Sequence, residues 1–237
     1  MERVAETGRF RVSDERHTFV FADLAGFTAL TEAHGDERAA DIALEFCREL
    51  NRLLPEDAED VKMLGDACLL RVGDAGEAVG LGLRLTGDLS RRHGFPDVRV
   101  GMHTGTAARR GADWFGSTIN IAARVAALAG PCEVLLTAAT RDAAGMPDGV
   151  VFEGCGAHEL RHVAAPVHLF RARSVDEDAR DGRWVIDPVC RMRLDVDQAA
   201  TSIEHDGTER YFCSALCAGK FARSPDRYLR DAAHVPL

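Results

Sequence analysis

No stretch of the 237-residue chain approaches the roughly eighteen consecutive apolar residues a membrane helix requires, so no transmembrane span is expected. The opening residues, MERVAETGRFRVSDERH, contain no apolar core of the kind an export leader needs, which points to a cytoplasmic protein. Positive charge is in deficit as well. With 29 Lys and Arg against 38 Asp and Glu, the net charge is −9, which disfavours nonspecific nucleic-acid binding. Any phosphate ligand is then held by local cations rather than by the global field. Internal repeats and low-complexity tracts are also missing. What remains is 46% hydrophobic and 28% charged, the balance of a folded soluble protein with one ordinary domain and a small appendage.

Seven cysteines stand at positions 47, 68, 132, 155, 190, 213 and 217. An odd count without a leader implies reduced thiols. Cys47, Cys68, Cys132 and Cys155 sit singly in apolar or loop settings and read as small buried hydrophobes. Cys190, Cys213 and Cys217 instead crowd the last quarter, two of them as Cys213-x-x-x-Cys217.

Hydrophobic periodicity orders the rest. His17–Ala22 is a β-rich apolar run that ends at Asp23 and the turn-forming Gly26. Apolar residues recur at helical spacing over Asp36–Leu54, and Pro55 ends that helix. Two strands, Asp60–Leu64 and Ala67–Val72, follow around Gly65-Asp66, then a helix over Gly76–His93. Val98–His103, Glu133–Thr137 and Val167–Arg171 are strands, and Gly116–Ala129 is a helix. This order predicts an α+β, ferredoxin-like split β-α-β domain over residues 17–174, with a mostly antiparallel sheet and helices on one face. Residues 1–16 read as a flexible lead-in, 175–183 as a charged linker, and 184–237 as a small cysteine-containing domain.

Two aspartates carry candidate chemistry. Asp23 closes an apolar strand and Asp66 lies in a tight inter-strand connection. Neighbouring strands run about 5 Å apart, so carboxylates at adjacent strand ends can converge on one hard cation.

Four segments then support a family resemblance: FADLAGFTAL (21–30), VKMLGDACLL (61–70), VRVGMHTG (98–105) and DWFGSTINIAAR (113–124). Together they resemble the catalytic domain of class III adenylyl and guanylyl cyclases. The resemblance implies two Mg²⁺ or Mn²⁺ ions per site on Asp23 and Asp66, and purine recognition by Lys62 and Asp113. It also implies ribose positioning and transition-state stabilisation by Asn120 and Arg124. The residue types suit those roles. A Lys donor and an Asp acceptor complement adenine's N1 and N6 amino group, which favours ATP over GTP. A guanidinium fork matches charge developing on phosphoryl oxygens. Because the family builds its site between subunits and this chain carries both halves, a homodimer making cyclic AMP and pyrophosphate is expected. Family members often hold the terminal phosphates with a lysine. Here the corresponding region, ELRHVAAPVHLF (159–170), offers Arg161 as its firm cation.

The C-terminal segments DPVCRM (187–192), HDGTERYFCSALC (205–217) and KFARSPDRY (220–228) resemble a YHS/TRASH-type domain, with Arg191 where that family usually has Gly. The spacing Cys190-x22-Cys213-x3-Cys217 suits a metal site or a structural knuckle, and thiolates select Zn²⁺ or Cu⁺. A fourth ligand is unassigned, with His205 as a candidate. Two readings stay open: a cyclase regulated by metal or redox state at the thiols, and a non-catalytic nucleotide-binding dimeriser in a metal-responsive sensor.

Overall fold

The computed structural model describes residues 15–89, 91–175 and 184–232. Most of the expected lead-in and linker, residues 1–14 and 176–183, lies outside the described residues.

Strand β1 (Arg16–Leu24) is buried along most of its length, and its side chains alternate between two apolar clusters. Val20, Ala22 and Leu24 point into one, whereas Phe19 lies in the other with Phe21 packed against it. After β1 come the short helix α1 (Phe27–His34) and α2 (Asp36–Leu53). Helix α2 buries Ala39, Ile42, Ala43, Phe46 and Leu50, a helical spacing, and opens with Asp36 and Glu37 at the positive end of its dipole. It stops where Leu54, preceding Pro55, turns to ψ 132°.

The chain continues through β2 (Glu59–Leu64), β3 (Ala67–Val72) and α3 (Ala75–Arg84), then β4 (Phe95–Pro96) and β5 (Val98–Thr106). A small hairpin of β6 (Ala108–Arg110) and β7 (Asp113–Phe115) leads into α4 (Ser117–Leu128). Strand β8 (Val134–Thr137), helix α5 (Ala138–Ala144), β9 (Val150–His158) and β10 (Val167–Ser174) complete a seven-stranded sheet in the order β2-β3-β1-β5-β8-β10-β9. Its first four strands have the ferredoxin-like neighbour order.

The sheet is mostly antiparallel, as expected, with one parallel pair, β5 with β8, joined by the crossover through α4. Two expectations need correction. Helices cover both faces, because both faces of β1 are apolar: α2 and α3 pack over Val20 and Leu70, while α4 lays Ile119 and Ala122 against Phe19 and Leu69. The close approach of α4 depends on Gly101, where a Cβ would come within 2.0 Å of the Ala126 nitrogen. The helix expected to reach His93 ends at Arg84 and passes into a π-helical turn, Leu85–Leu89, where Thr86 Oγ1 donates to the Gly82 carbonyl at 3.0 Å. Finally, β9 was not anticipated. It is a half-exposed edge strand containing Gly154 and Gly156, without the apolar run that marks a buried strand.

The C-terminal part contains β11 (Trp184–Ile186), β12 (Met192–Asp195), β13 (Thr201–His205), β14 (Thr208–Phe212), α6 (Ala215–Arg223) and α7 (Pro225–Ala232). It packs onto the larger sheet domain. Strand β12 pairs with β4, placing Arg193 opposite Phe95. The Arg193 guanidinium forks onto Asp97 at 2.6 and 3.1 Å, and the Asp97 side chain is only 6% exposed. Val189, Cys190, Met192, Phe212 and Phe221 belong to the same apolar cluster as Leu24, Leu30 and Phe95. Among the described residues, no helix is long and apolar enough to cross a membrane.

Candidate active site

Asp23 sits near the end of β1, opposite Ala67 of β3, and Asp66 immediately precedes that partner in the β2–β3 turn. The backbone register thus brings the two carboxyl groups together. Burial, followed by the charge of Asp23, pushes the Asp66 carboxyl up to about 6. Arg99, opposite Asp23 on β5, donates from Nε at 2.7 Å and from Nη2 to the same Asp23 oxygen, Oδ2. The other oxygen, Oδ1, is left out of that fork. Two half-buried carboxylates crowding each other form a hard, anionic oxygen set, which a divalent cation such as Mg²⁺ or Mn²⁺ would neutralise. The residues present fit such an ion. The sequence carries one signal for Arg99, an arginine inside the apolar run VRVGM.

Lys62 and Asp113 lie 51 positions apart, yet they meet: Lys62 Nζ donates to the two Asp113 oxygens at 2.7 and 2.9 Å. Strand β2 carries the lysine, and the β6–β7 hairpin folds back to present the aspartate. The hydrogen bond from Lys62, with one from the Trp114 N–H, holds the Asp113 carboxyl below its ordinary range. Both side chains remain about one-third exposed, at 37% and 35%, so the pair adds little stability and stays open to a ligand.

Asn120 and Arg124 project from one face of α4, four residues apart. Asn120 is exposed, and Arg124 Nη1 donates at 3.0 Å to the Asn120 carbonyl, lying along its own helix. Arg161 is exposed in the turn between β9 and β10. Among the described residues, no hydrogen bond or ion pair links the Asp23–Asp66 pair to Lys62, Asp113, Asn120, Arg124 or Arg161.

A second cluster forms where the C-terminal part meets α1. Cys190, Cys213 and Cys217 converge, with Sγ separations of 3.6 Å from Cys213 to each of the others. The fourth member is His34, the last residue of α1, whose Nε2 lies 3.5 Å from Cys213 Sγ and 3.6 Å from Cys217 Sγ. His205 is elsewhere, edge-on to the Phe221 ring with centroids 5.5 Å apart. Asp187, buried, accepts from the Val189 and Cys213 N–H groups at 2.8 Å each and so ties both cysteine loops together. Hydrogen bonds from Cys190 and Cys213 hold the Cys217 thiol down at about 4, while the Cys190 thiol is pushed up.

Residues 11–161, more than half of the chain, match the adenylate and guanylate cyclase catalytic domain. The chain belongs to this family. Residues 185–232 match the YHS domain, so the cyclase domain carries a C-terminal YHS domain. Over 159 residues the chain is 34% identical to a pH-sensitive adenylate cyclase of Mycobacterium tuberculosis, covering 66% of this chain and 40% of the relative. It is 37% identical to an adenylate cyclase of Streptomyces griseus over 155 residues, covering 65% and 35% respectively. The chain therefore spans roughly two-fifths of the length of these curated relatives. The crystal structure of the adenylyl cyclase CyaB from P. aeruginosa shares the fold with a TM-score of 0.62 at 20% identity, over 71% of this chain and 98% of that one.

Proposed function

We propose that this chain is an adenylyl cyclase that converts ATP to 3′,5′-cyclic AMP and pyrophosphate in a site shared between two copies. The observation that carries the reading is the pair of half-buried carboxyl groups, Asp23 and Asp66, facing one another at adjacent strand ends. These two residues would hold two Mg²⁺ or Mn²⁺ ions. When bound, the ions supply Lewis acidity toward the 3′-hydroxyl and neutralise charge on the leaving pyrophosphate.

The remaining roles follow from the chain's own donors and acceptors. Lys62 Nζ and the Asp113 carboxylate already sit side by side, one donor and one acceptor, matching adenine's N1 and N6 amino group. On binding, the base exchanges their mutual bond for two of its own. Arg99 fixes Asp23 through one oxygen only, so the carboxylate is oriented without being consumed. Arg124 leaves a single neutral carbonyl acceptor on its own helix to reach the α-phosphoryl oxygens, while Asn120 orients the ribose. Arg161 supplies positive charge for the terminal phosphates from an exposed turn.

Separation of these groups within one chain supports a homodimer. Leu44, Met63, Leu64 and Phe115 are exposed at 55%, 41%, 48% and 52%, and all but Leu44 lie within three residues of Lys62, Asp66 or Asp113. An apolar groove lined by Phe27, Ala39, Ala43, Leu44 and Met63 runs beside Gly65, next to Asp66. In this reading the partner's purine-reading and transition-state residues complete each metal site.

Product analysis with ATP or GTP and Mn²⁺ tests the reading. Wild type should form cyclic AMP from ATP in preference to cyclic GMP from GTP, and Asp66→Ala should lower the rate by about a hundred- to a thousandfold, the scale of losing a main electrostatic stabiliser. No cyclic nucleotide from wild type would favour the non-catalytic dimeriser instead. Undiminished activity in Asp66→Ala would remove it from the metal set.

A further inference from the structure

The His34–Cys190–Cys213–Cys217 cluster is drawn from both parts of the chain, and its geometry is specific. A tetrahedral ion bound at about 2.3 Å to sulfur and about 2.0–2.1 Å to nitrogen would have ligand atoms roughly 3.5–3.8 Å apart along the edges. The measured edges are 3.5 and 3.6 Å from His34 Nε2 to Cys213 and Cys217, and 3.6 Å from Cys213 to Cys190 and to Cys217. All four ligand atoms lie within 4.8 Å of one another. Asp187 ties the segments carrying Cys190 and Cys213 together through backbone N–H groups at 2.8 Å, an outer-shell support for the set.

The surroundings show what such an ion would fasten. Lys220 Nζ donates to the Glu32 and Ala33 carbonyls at 2.9 Å each, covering the carbonyl end of α1, and Arg227 pairs with Glu32 at 3.0 Å. At the other end of α1, Gly26 lies at φ 81° directly under Arg191: a Cβ there would come within 2.6 Å of Arg191 Cβ. The Ala25 N–H donates to the Asp97 carbonyl at 2.7 Å, and Asp97 is the partner of Arg193. The C-terminal part thus grips the short helix that follows the strand carrying Asp23.

We propose that His34 closes a tetrahedral N₁S₃ site with Cys190, Cys213 and Cys217 for a thiophilic divalent ion, Zn²⁺, and that this ion locks α1 to the C-terminal part. Three thiolates and one neutral imidazole offset the dication's charge and match the preferences of Zn²⁺ for sulfur and nitrogen in four-coordination. One consequence reaches the active site: an ion at His34 holds the far end of the helix whose near end adjoins Asp23. That consequence alone rests on Asp23 being a ligand of the catalytic metals.

The test uses the reduced, metal-stripped full chain, titrated with Co²⁺ and then Zn²⁺ in competition with a chromophoric chelator. One ion per chain should bind, with thiolate-to-cobalt charge transfer and the intense visible bands of tetrahedral Co²⁺. His34→Ala should weaken Zn²⁺ binding by at least the ten- to hundredfold (approximately) that losing even an outer-shell partner costs, and should alter the Co²⁺ bands. His34→Cys should retain tight binding, which separates lost ligation from lost folding. Hydrogen exchange in α1 should slow on adding Zn²⁺ to wild type and His34→Cys but not to His34→Ala. Unchanged affinity and spectrum in His34→Ala would overturn the proposal. So would retention of Cu⁺ alone, insensitive to His34→Ala, or no ion bound by wild type. None of these readouts uses turnover, so they stand or fall separately from the cyclase reading.

Discussion

Two clusters of candidate metal ligands stand at the two ends of one eight-residue helix, and they are built differently. At the near end, Asp23 of one strand meets Asp66 of the turn that leads into the neighbouring strand, and strand register alone brings them together. At the far end, His34 and three cysteines come from two parts of the chain, with His34 lying 179 positions before Cys213. The first offers hard oxygens, the second soft sulfur and a nitrogen. Hard cations such as Mg²⁺ and Mn²⁺ therefore compete poorly for the thiols, whereas the carboxylates discriminate less between dications. Only the second draws its residues from both parts, so disturbing their packing should affect the two clusters unequally.

The largest expected effect is at the packing itself. Arg193→Ala leaves the buried Asp97 carboxylate without its fork and should cost about 3–4 kcal/mol in urea unfolding. Ion binding at the thiols should weaken with it, while the Lys62–Asp113 pair, on the far strand edge, should stay intact. Loss of both would show that the two regions do not behave separately. Deleting residues 184–237 is a poorer probe, because Phe212 and Phe221 complete the apolar cluster that includes Leu24 and Leu30.

A pH scan probes the sheet. Burial lowers the pKa of His103 to about 4 from the ordinary 6.5, and His103 Nδ1 lies 2.7 Å from Thr137 Oγ1. His17, buried in β1, is shifted in the same direction. Below the unfolded value the unfolded chain takes up protons that the folded chain does not, so stability falls as pH drops from about 6.5 toward 4. His103 alone should account for roughly 3 kcal/mol over that window. A His103→Gln variant should show a flatter profile, and an unchanged slope would place the effect elsewhere.

The smallest effect concerns nucleotide choice. Lys62→Glu combined with Asp113→Cys should reduce the preference for ATP over GTP by about ten- to a hundredfold in kcat/KM, with metal binding at the thiols untouched. Unchanged selectivity would undo the assignment of this pair to the purine.

Much of this was legible in the sequence, for identifiable reasons. The strands around Asp23 and Asp66 announce themselves by apolar runs that break at an acidic residue, and the cysteines by their spacing. Local pattern could not reveal that α4 lies on the opposite face from α2. That arrangement follows from the apolar character of both faces of β1, which the unbroken run HTFVFA carries but which has no helical period. Strand β9 was hidden because an edge strand with two glycines lacks the hydrophobic alternation of a buried one. His34 was hidden most completely. Nothing in TEAHGDE distinguishes it from any polar residue before a helix-ending glycine, and its partners lie in another part of the chain. His205, nearer in sequence to Cys213, packs on Phe221 instead.

The proposal of a catalytic site shared between two copies is tested most directly by mixing the variants Asp66→Ala and Arg124→Ala, each expected to be inactive alone, and measuring cyclic AMP formation. If the aspartates of one copy work with Arg124 of the other, each mixed dimer holds one intact site. Equal mixing should then restore about a quarter of the wild-type rate, since half the dimers are mixed and each has one of two sites. No recovery on mixing, or substantial activity in either variant alone, would contradict the account.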